Sequence, residues 1–336
     1  MLSRFDASGV MTYAPMNTHQ WFDNDLVGKR YPDHIKRKIM TNPKVTLGMP
    51  VYNGQAYIKQ ALDSIVSQKF QDFELIISDN GSLDSTREIC EAYAAKDKRI
   101  RFYPHSKNRG AAWNYTYVLE LAKGEYFKWV AHDDVLAADF LGRCVEVLDQ
   151  SPDVVLAHSK TVIIDNKGKE THKIKEDLHL TSPSPVNRFN QYQQIRRRKA
   201  REEKWESNPI FGLMRTNALR KTPGLGSFLQ HDIILLGELA LLGKFFIVQE
   251  YLFYHRYHSE MSHVANKSDK ERLAWFDPTK TGKLQFPKWR QFFEYLKAIN
   301  RVPLSKHEKL QCYYQFVLEQ VSFTLSKIVQ RQGNAG

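Results

Sequence analysis

The sequence predicts an α/β fold in which a mostly parallel β-sheet is flanked by helices and followed by a C-terminal helical extension. Two observations support this prediction: from Lys44 onward, short apolar runs alternate with amphipathic helical patterns, and polar turns follow several of the runs. Such alternation is typical of βαβ units, whose strands lie parallel in one sheet. Because residues 1–43 show little periodicity, we expect an N-terminal extension there, an α/β domain over residues 44–265 and a basic, amphipathic helical extension over residues 266–336.

The first half of the predicted domain shows the alternation most clearly. The predicted elements, in chain order, are a strand at 45–49, a helix at 57–66, a strand at 73–78, a helix from 85 through 93, a strand at 100–103, a helix at 110–121 and a strand at 126–131. The helices are inferred from apolar residues three and four positions apart, as at Ile58, Ala61, Leu62 and Ile65. Pro, Gly, Asn and Asp mark the turns, as at Asn53-Gly54.

The second half is less regular. Its predicted elements are a helix at 140–148, a strand at 154–157, a hairpin turn at 165–168, a basic helix at 191–205, a helix at 232–242 and a strand at 245–248. Near the C-terminus, apolar residues recur at spacings of four and three, at Leu310, Tyr314, Val317, Val321, Leu325 and Ile328. This pattern predicts an amphipathic helix that packs back onto the domain.

Polar residues follow three of the predicted strands. Asn53, Asp79 and Asp133 each come after the carboxyl end of a strand. In open α/β sheets, ligands bind at that edge, because strand ends and helix N-termini form a crevice there. We therefore expect these three side chains to line one ligand site.

Several motifs in the right order give the chain a resemblance to family 2 glycosyltransferases over about residues 44–263. They are Pro50-Val51-Tyr52-Asn53-Gly54, the run 73–82 with Asp84 and Thr86, Asn108-Arg109-Gly110 with Asn114, Gly124-Glu125-Tyr126, and His132-Asp133-Asp134. The resemblance implies the GT-A fold, a Rossmann-like sheet, and sugar transfer from a nucleotide-sugar donor.

Such a reaction releases a nucleoside diphosphate, whose developing charge a divalent cation can stabilise. Mn²⁺ and Mg²⁺ prefer oxygen ligands and usually take one or two carboxylates together with phosphate oxygens. We therefore predict that Asp134 is a metal ligand and that Asp133 contacts the ribose or the metal. The family's triplet is usually acidic at both ends, so His132 is a departure at the first position.

The resemblance also implies a donor site that includes the nucleobase and the diphosphate. The expected donor-binding residues are Pro50, Tyr52, Asn53, Asp79, Asn108, Arg109, His132, Asp133 and Arg256. Asp79 is expected to accept a hydrogen bond from the base. Because a carboxylate can accept from uracil, thymine or guanine, UDP-, GDP- and dTDP-sugars all remain possible donors. Where many relatives have a second acidic residue, this chain has Asn80.

The acceptor hydroxyl needs a base to take its proton. In the family this base is an aspartate at the start of a helix, and Gln230-His231-Asp232 before an apolar helix matches that position. Asp232 is therefore the candidate catalytic base, with a helix N-cap as the alternative interpretation. Tyr254-His255-Arg256-Tyr257-His258 resembles the family's Arg-x-His element, which implies a metal or phosphate contact for His258; an ordinary surface strand is the alternative.

The chain is basic, with a formal charge of +12, and residues 266–336 contain 13 Lys/Arg against 6 Asp/Glu. A basic surface attracts anionic lipid, nucleic acid or phosphorylated ligands. Because Trp275, Phe276, Trp289, Phe292 and Phe293 lie among these lysines, peripheral contact with an anionic membrane surface is a possible role. No nucleic-acid motif is recognisable, so no nucleic-acid partner is expected.

Three widely spaced cysteines suggest neither a disulfide framework nor a zinc site. With neither a secretory signal nor a long apolar run in the sequence, we expect a cytoplasmic protein, or one peripheral at the inner face of the membrane. The sequence thus predicts an inverting transferase that moves a sugar to a hydroxyl of a saccharide or lipid-linked acceptor, in cell-surface polysaccharide or glycoconjugate synthesis. The alternatives are a nucleotidyltransferase of related fold and a non-catalytic basic protein that binds nucleic acid or lipid.

Overall fold

One mixed β-sheet organises the fold. The computed structural model describes residues 42–174, 178–201, 209–261, 265, 268–281 and 287–318. In these residues the strands are β1 (Val45–Val51), β2 (Phe73–Asp79), β3 (Ile100–Pro104), β4 (Tyr126–Trp129), β5 (Val135–Leu136), β6 (Val154–Ile164), β7 (Glu170–Lys173), β8 (Leu213–Arg215) and β9 (Lys244–Arg256). Their order in the sheet is β3-β2-β1-β4-β8-β6-β9-β5, and β7 pairs with β6. The predicted N-terminal extension lies almost entirely outside the described residues.

The first half of the sheet is parallel, as predicted. β1 lies between β2 and β4, and β2 pairs with β3. Every residue of β1 and β2 is buried, because helices cover both faces of a parallel sheet. The helices of this half are α1 (Ile58–Val66), α2 (Thr86–Lys96), α3 (Ala111–Glu120) and α4 (Phe140–Gln150).

The second half of the sheet is mixed. β8 is antiparallel to β4 and β6, β5 is antiparallel to β9, and β6 runs parallel to β9. The predicted turn at 165–168 is confirmed as the link between β6 and antiparallel β7, with Gly168 at φ +83°. The strands predicted at 154–157 and 245–248 are longer than expected, because each continues past the apolar run that identified it.

The helices of the second half are α5 (Pro185–Arg201), α6 (Thr216–Leu219), α7 (His231–Leu242), α8 (Asp269–Phe276) and α9 (Pro287–Arg301), and residues 306–318 are also helical. The basic helix predicted at 191–205 begins earlier, and residues 202–208 lie outside the described ranges. α9 packs against α7, where Tyr295 and Ile299 join the buried cluster that includes Ile234 and Leu241. Within the described ranges, no helix combines the length and apolarity that crossing a bilayer requires.

The prediction that the apolar residues near the C-terminus form the packed face of their helix is wrong in the part that the structure describes. Leu310 and Tyr314 are 65% and 64% exposed, whereas Cys312 and Phe316 are buried. The reason is the contact with α9, whose Tyr295 ring lies 5.0 Å from the ring of Phe316. The remainder of this apolar pattern, from residue 321, lies outside the described residues.

Candidate active site

A cavity of about 760 Å³ opens at the carboxyl ends of the central parallel strands. One side is lined by the residues that follow β1, β2 and β4, and another by the start of α7, the segment after β9 and the end of α8. The strand ends meet here because β1, β2 and β4 are neighbouring parallel strands. The sheet edge predicted to hold the ligand site is therefore where the cavity lies.

Asp134 is a buried carboxylate on the cavity wall. Its Oδ1 accepts hydrogen bonds from His255 Nδ1, at 2.9 Å, and from the backbone N–H of Arg256, at 3.0 Å. Its Oδ2 is buried and has no hydrogen-bond partner among the described residues. A buried carboxylate oxygen is costly to leave unpaired, so this atom suits a ligand such as a cation.

Asp133 forms a second pair with a histidine. His258 Nε2 lies 2.9 Å from Asp133 Oδ2, and the imidazole ring lies 4.6 Å from the ring of Tyr57. Burial by itself would raise the pKa of Asp133, but the charge of His132 and the hydrogen bond from His258 outweigh burial and hold that pKa below its usual range. Asp133 is therefore ionised at neutral pH. His258 Nδ1 is buried and has no hydrogen-bond partner within the described ranges.

The structure places Arg256, predicted to bind the donor, behind the turn that holds Asp133 and Asp134. Its side chain is 1% exposed and is not among the cavity-lining residues. The guanidinium donates to the carbonyl oxygens of Asp133 and Asp165 and to Oε1 of Gln60, at 2.8, 2.9 and 2.6 Å. In this position Arg256 supports the acidic turn.

Replacing Arg256 with lysine should destabilise the protein by roughly 3 kcal/mol, because a lysine cannot reproduce the planar fork and leaves buried carbonyl oxygens unpaired. Urea denaturation followed by circular dichroism measures this change. Arg143→Lys is the matched control, since Arg143 pairs with Glu250 at a half-exposed surface site. Equal stability of the two variants would contradict the supporting role of Arg256.

The predicted base pocket is only partly on the cavity wall. Pro50, Tyr52 and Asn53 line the cavity, whereas Asp79 is fully buried behind them. Asp79 Oδ1 accepts from the backbone N–H of Ser82, and its buried Oδ2 lies 3.7 Å from Nε of Arg87. The base contact predicted for Asp79 therefore stays a prediction.

Asn53 connects the loops after β1 and β2. Its backbone has φ +53°, its N–H donates to Ser82 Oγ, and its side-chain oxygen accepts from the N–H of Leu83. The family-like residues Asp84 and Thr86 make similar links, because they accept from the backbone N–H groups of Gln55 and Gly54. These motif residues thus shape the cavity rim.

Asn80 has a role that the sequence did not reveal. Its Nδ2 donates to Asn108 Oδ1 and to the Gly110 carbonyl, and its Oδ1 accepts from the N–H of Arg109. The amide thus fixes the 108–110 loop, with Asn108 at the cavity. The guanidinium of Arg109 lies instead over the Trp113 ring, 4.5 Å from its centroid, and is not part of the cavity lining.

Replacing Asn80 with aspartate should lower stability by about 2 kcal/mol, since a carboxylate would face two oxygen acceptors where the amide donates. Thermal unfolding at neutral pH measures the change. Asn166→Asp in the exposed turn after β6 is the matched control. An Asn80→Asp variant as stable as its control would show that the loop does not depend on this donor.

Asp232 lies in the first turn of α7 and lines the cavity. Burial raises its pKa, and the N–H groups of Ile233 and of Asp232 itself only partly offset this. The preceding residue, His231, also lines the cavity, and neither of its buried ring nitrogens has a hydrogen-bond partner in the described part of the chain, so it does not pair with Asp232. Burial lowers the pKa of His231 to about 3, and its imidazole is therefore neutral.

The end of α8 forms part of the cavity wall, which the sequence did not predict. Trp275 and Phe276 line the cavity, and Phe276 is only 5% exposed. Phe276 was expected at a membrane surface, but its ring lies 4.0 Å from that of His231. Of the aromatic residues named for membrane contact, Trp289 and Phe293 are the most exposed, at 64% and 51%.

Similarity to known structures is consistent with this fold. The structure of S. aureus TarS 1–349 in complex with UDP-GlcNAc aligns with a TM-score of 0.51 and 17% identity, covering 81% of this chain and 79% of that one. The complex of the same fragment with UDP aligns with a TM-score of 0.51 and 18% identity, covering 86% of this chain and 92% of that one. The GT-A fold predicted from the sequence is confirmed by this match.

Sequence relatives share a shorter region. An uncharacterized glycosyltransferase of Rickettsia felis is 32% identical over 152 residues, which are 44% of this chain and 24% of that protein. Glycosyltransferase GlyG of Streptococcus pneumoniae is 30% identical over 115 residues, 34% of this chain and 38% of the relative. The chain spans about a fifth to a half of the length of the curated relatives that it matches.

The model of glycosyl transferase family 2 matches residues 46–223, more than half of the chain. That range contains all but the first residue of β1, the whole of β2 to β4 and the turn with Asp133 and Asp134, which are the elements that resembled the family in the sequence. By this match, the chain belongs to glycosyl transferase family 2.

Proposed function

We propose that this protein is an inverting glycosyltransferase that moves a sugar from a nucleotide-sugar donor to a hydroxyl of a saccharide or lipid-linked acceptor. The observation that supports this most directly is the presence of two different carboxylates in one cavity. Asp134 has a buried oxygen that no described residue hydrogen-bonds, and Asp232 has a raised pKa at the start of a helix. Cell-surface polysaccharide or glycoconjugate synthesis is the proposed setting.

A divalent cation, Mn²⁺ or Mg²⁺, suits the acidic turn after β4. Asp134 would hold it through Oδ2, and His258, which lines the same cavity and pairs with Asp133, is the second proposed ligand. The described residues contain no cluster of three His, Cys, Asp or Glu side chains that could hold a metal, so donor phosphates would supply other ligands. When bound, such a cation stabilises negative charge on a departing diphosphate.

The residues of this chain hold the acidic turn in place for the donor. His255 and the backbone of Arg256 fix one oxygen of Asp134, and the guanidinium of Arg256 fixes the carbonyl of Asp133. Such prior ordering lowers the cost of reorganisation when charge develops. Pro50, Tyr52 and Asn53 are the proposed lining of the base pocket, and Asp79 its hydrogen-bond acceptor.

Asp232 is the proposed catalytic base. A base works best when its pKa is near the working pH, and burial moves the pKa of Asp232 in that direction. The carboxylate would take the proton of the acceptor hydroxyl as that oxygen bonds to the anomeric carbon and the nucleoside diphosphate leaves. Direct displacement of this kind inverts the anomeric configuration.

A UDP-sugar is the first donor to test, because TarS, which has a similar fold, was solved with UDP-GlcNAc and with UDP. GDP- and dTDP-sugars complete the set. We also propose a cytoplasmic location, in contact with the inner face of the membrane. The exposed Trp289 and Phe293, next to Lys288 and Arg290 in α9, support peripheral contact with anionic lipid.

A thermal-shift panel of UDP-, GDP- and dTDP-sugars, each with and without Mn²⁺, tests the proposal. We expect one donor class to raise Tm, and to do so more strongly with Mn²⁺, because a ligand that binds only the folded state stabilises it. If no nucleotide sugar changed Tm while DNA bound in a salt-dependent way, a non-catalytic basic binding protein would replace the proposed enzyme.

A further inference from the structure

Three aromatic rings form a continuous wall of the cavity, which we call the aromatic track (Trp275, Phe276 and His231). The ring centroids of Trp275 and Phe276 are 6.1 Å apart, and those of Phe276 and His231 are 4.0 Å apart. All three residues line the cavity, and Trp275 is 43% exposed. Because Asp232 directly follows His231 in the chain, the track leads from the exposed Trp275 to the proposed base.

The position of the track is fixed by contacts on two sides. The carboxylate of Asp277 accepts from Ser227 Oγ, and Lys280 donates to the Ser227 carbonyl, so the end of α8 is tied to the segment before α7. On the other side, Gly110 has φ +89°, and a Cβ there would lie 2.4 Å from Pro278 Cδ and 2.8 Å from the Phe276 carbonyl oxygen. These contacts on both sides therefore hold the aromatic rings in place in the cavity wall.

His231 shows which kind of ligand this wall suits. Both of its ring nitrogens are buried, and no described residue forms a hydrogen bond with either of them. A neutral imidazole has one donor and one acceptor, and a hydroxyl group can satisfy either of them. An apolar chain would leave both nitrogens unpaired, which is unfavourable. The carboxylates of Asp232 and Glu260 also line the cavity and would repel an anionic group.

We propose that the aromatic track is the acceptor subsite and that it binds a neutral saccharide, with the C–H face of a sugar ring on Trp275 and a hydroxyl at His231 and Asp232. This inference rests on the proposed function, because it concerns the acceptor of the same transfer reaction. Aromatic rings give a large rigid contact area, and His231 together with Asp232 supplies the polar groups that orient a hydroxyl.

Saturation-transfer NMR with three probes tests the subsite: methyl β-D-glucopyranoside, methyl β-D-galactopyranoside and methyl N-acetyl-β-D-glucosaminide, each with and without UDP and Mn²⁺. We expect at least one glycoside to bind, and Trp275→Ala to weaken its binding roughly three- to tenfold, as expected for the loss of one aromatic contact. Trp289→Ala is the matched control, because Trp289 is exposed and lies outside the cavity lining.

Two further variants separate binding from folding. Trp275→Phe should restore part of the affinity lost in Trp275→Ala. His231→Phe retains an aromatic ring against Phe276 but removes both nitrogens, and should weaken glycoside binding by about tenfold, the effect of leaving polar groups of a ligand unpaired. UDP binding with Mn²⁺ should be unchanged in all of these variants.

The proposal is overturned if none of the three glycosides binds, or if Trp289→Ala weakens binding as much as Trp275→Ala does. Octyl β-glucoside serves as a fourth probe. If only its alkyl tail showed saturation transfer, and Trp275→Ala abolished that signal, the track would be a site for apolar chains and the saccharide proposal would be overturned. The proposed function fails by a different result: glycosides bind on the track, but no nucleotide sugar raises Tm.

Discussion

Asp134→Asn should reduce sugar transfer and the Mn²⁺-dependent part of nucleotide-sugar binding by at least about a hundredfold. Mutating a residue that merely orients a metal ligand costs up to about a hundredfold, and loss of the ligand itself should cost at least as much. Asparagine has nearly the same shape, and its Oδ1 can still accept from His255 and from the backbone of Arg256. The change therefore places an uncharged amide at the position of Oδ2, where an N–H₂ group cannot bind a cation.

Titration calorimetry of UDP, with Mn²⁺ and with EDTA, measures this effect apart from catalysis. The wild type should lose affinity when EDTA replaces Mn²⁺, whereas Asp134→Asn should bind UDP equally weakly in both. Asp139→Asn is a suitable control, because Asp139 pairs with Lys69 at a half-exposed site on the surface. If Asp134→Asn retained the Mn²⁺ effect in full, Asp134 would not be the metal ligand.

Asp232→Asn should lower kcat by about 10²- to 10⁴-fold, the usual contribution of a positioned base, and leave UDP affinity with Mn²⁺ unchanged. In the wild type, activity should fall as pH drops through the pKa of Asp232, at a higher pH than an ordinary aspartate would give, because burial raises that pKa. A panel of initial rates against pH with the donor that the thermal-shift panel identifies measures both effects. If Asp232→Asn lost activity at low pH over the same range as the wild type, a group other than Asp232 would be responsible for that loss.

The same variant should be more stable than the wild type at neutral pH. Because burial raises the pKa of Asp232 in the folded state, the folded protein binds the proton more tightly than the unfolded chain does. The free energy of unfolding therefore falls as pH rises from below the unfolded-state pKa through the folded-state pKa. Asparagine is uncharged throughout and avoids this penalty. A higher Tm for Asp232→Asn at neutral pH, but not for Asp269→Asn on the exposed start of α8, is the expected result. The N-cap alternative for Asp232 is wrong, because the N-cap of α7 is Gln230 and Asp232 lies within the first turn. A lower Tm would indicate that the charge of Asp232 stabilises that first turn.

The parallel half of the fold could be predicted because its physical causes are local. The strands β1 and β2 are buried on both faces, so they appear as apolar runs, and the turns after them contain residues such as Asn53 that suit positive φ. Short strands were missed for the opposite reason. β5 has two residues and β8 has three, too few for any periodicity, and they form only because long neighbours provide hydrogen-bonding edges.

The part of the candidate site that local sequence patterns encode could also be predicted. Asp133 and Asp134 follow a buried strand, and their neighbourhood resembles a known family. The position of Arg256 depends on its contacts with Gln60 and Asp165, which are far away in sequence, and no pattern in the chain reports such contacts. The contribution of Phe276 was hidden for the same reason, since nothing near residue 276 indicates that its ring packs on His231.

The wall formed by α7 and α8 has a consequence for how this enzyme class can diversify. The match to the family ends at residue 223, before Asp232 and before Trp275. The family-matched stretch and the opposite wall are thus separate parts of one chain that meet at Gly110 and Pro278. With the proposed acceptor subsite in the second part, substitutions in α7 and α8 should change the acceptor while leaving the matched stretch, which contains most of the proposed donor site, unaltered.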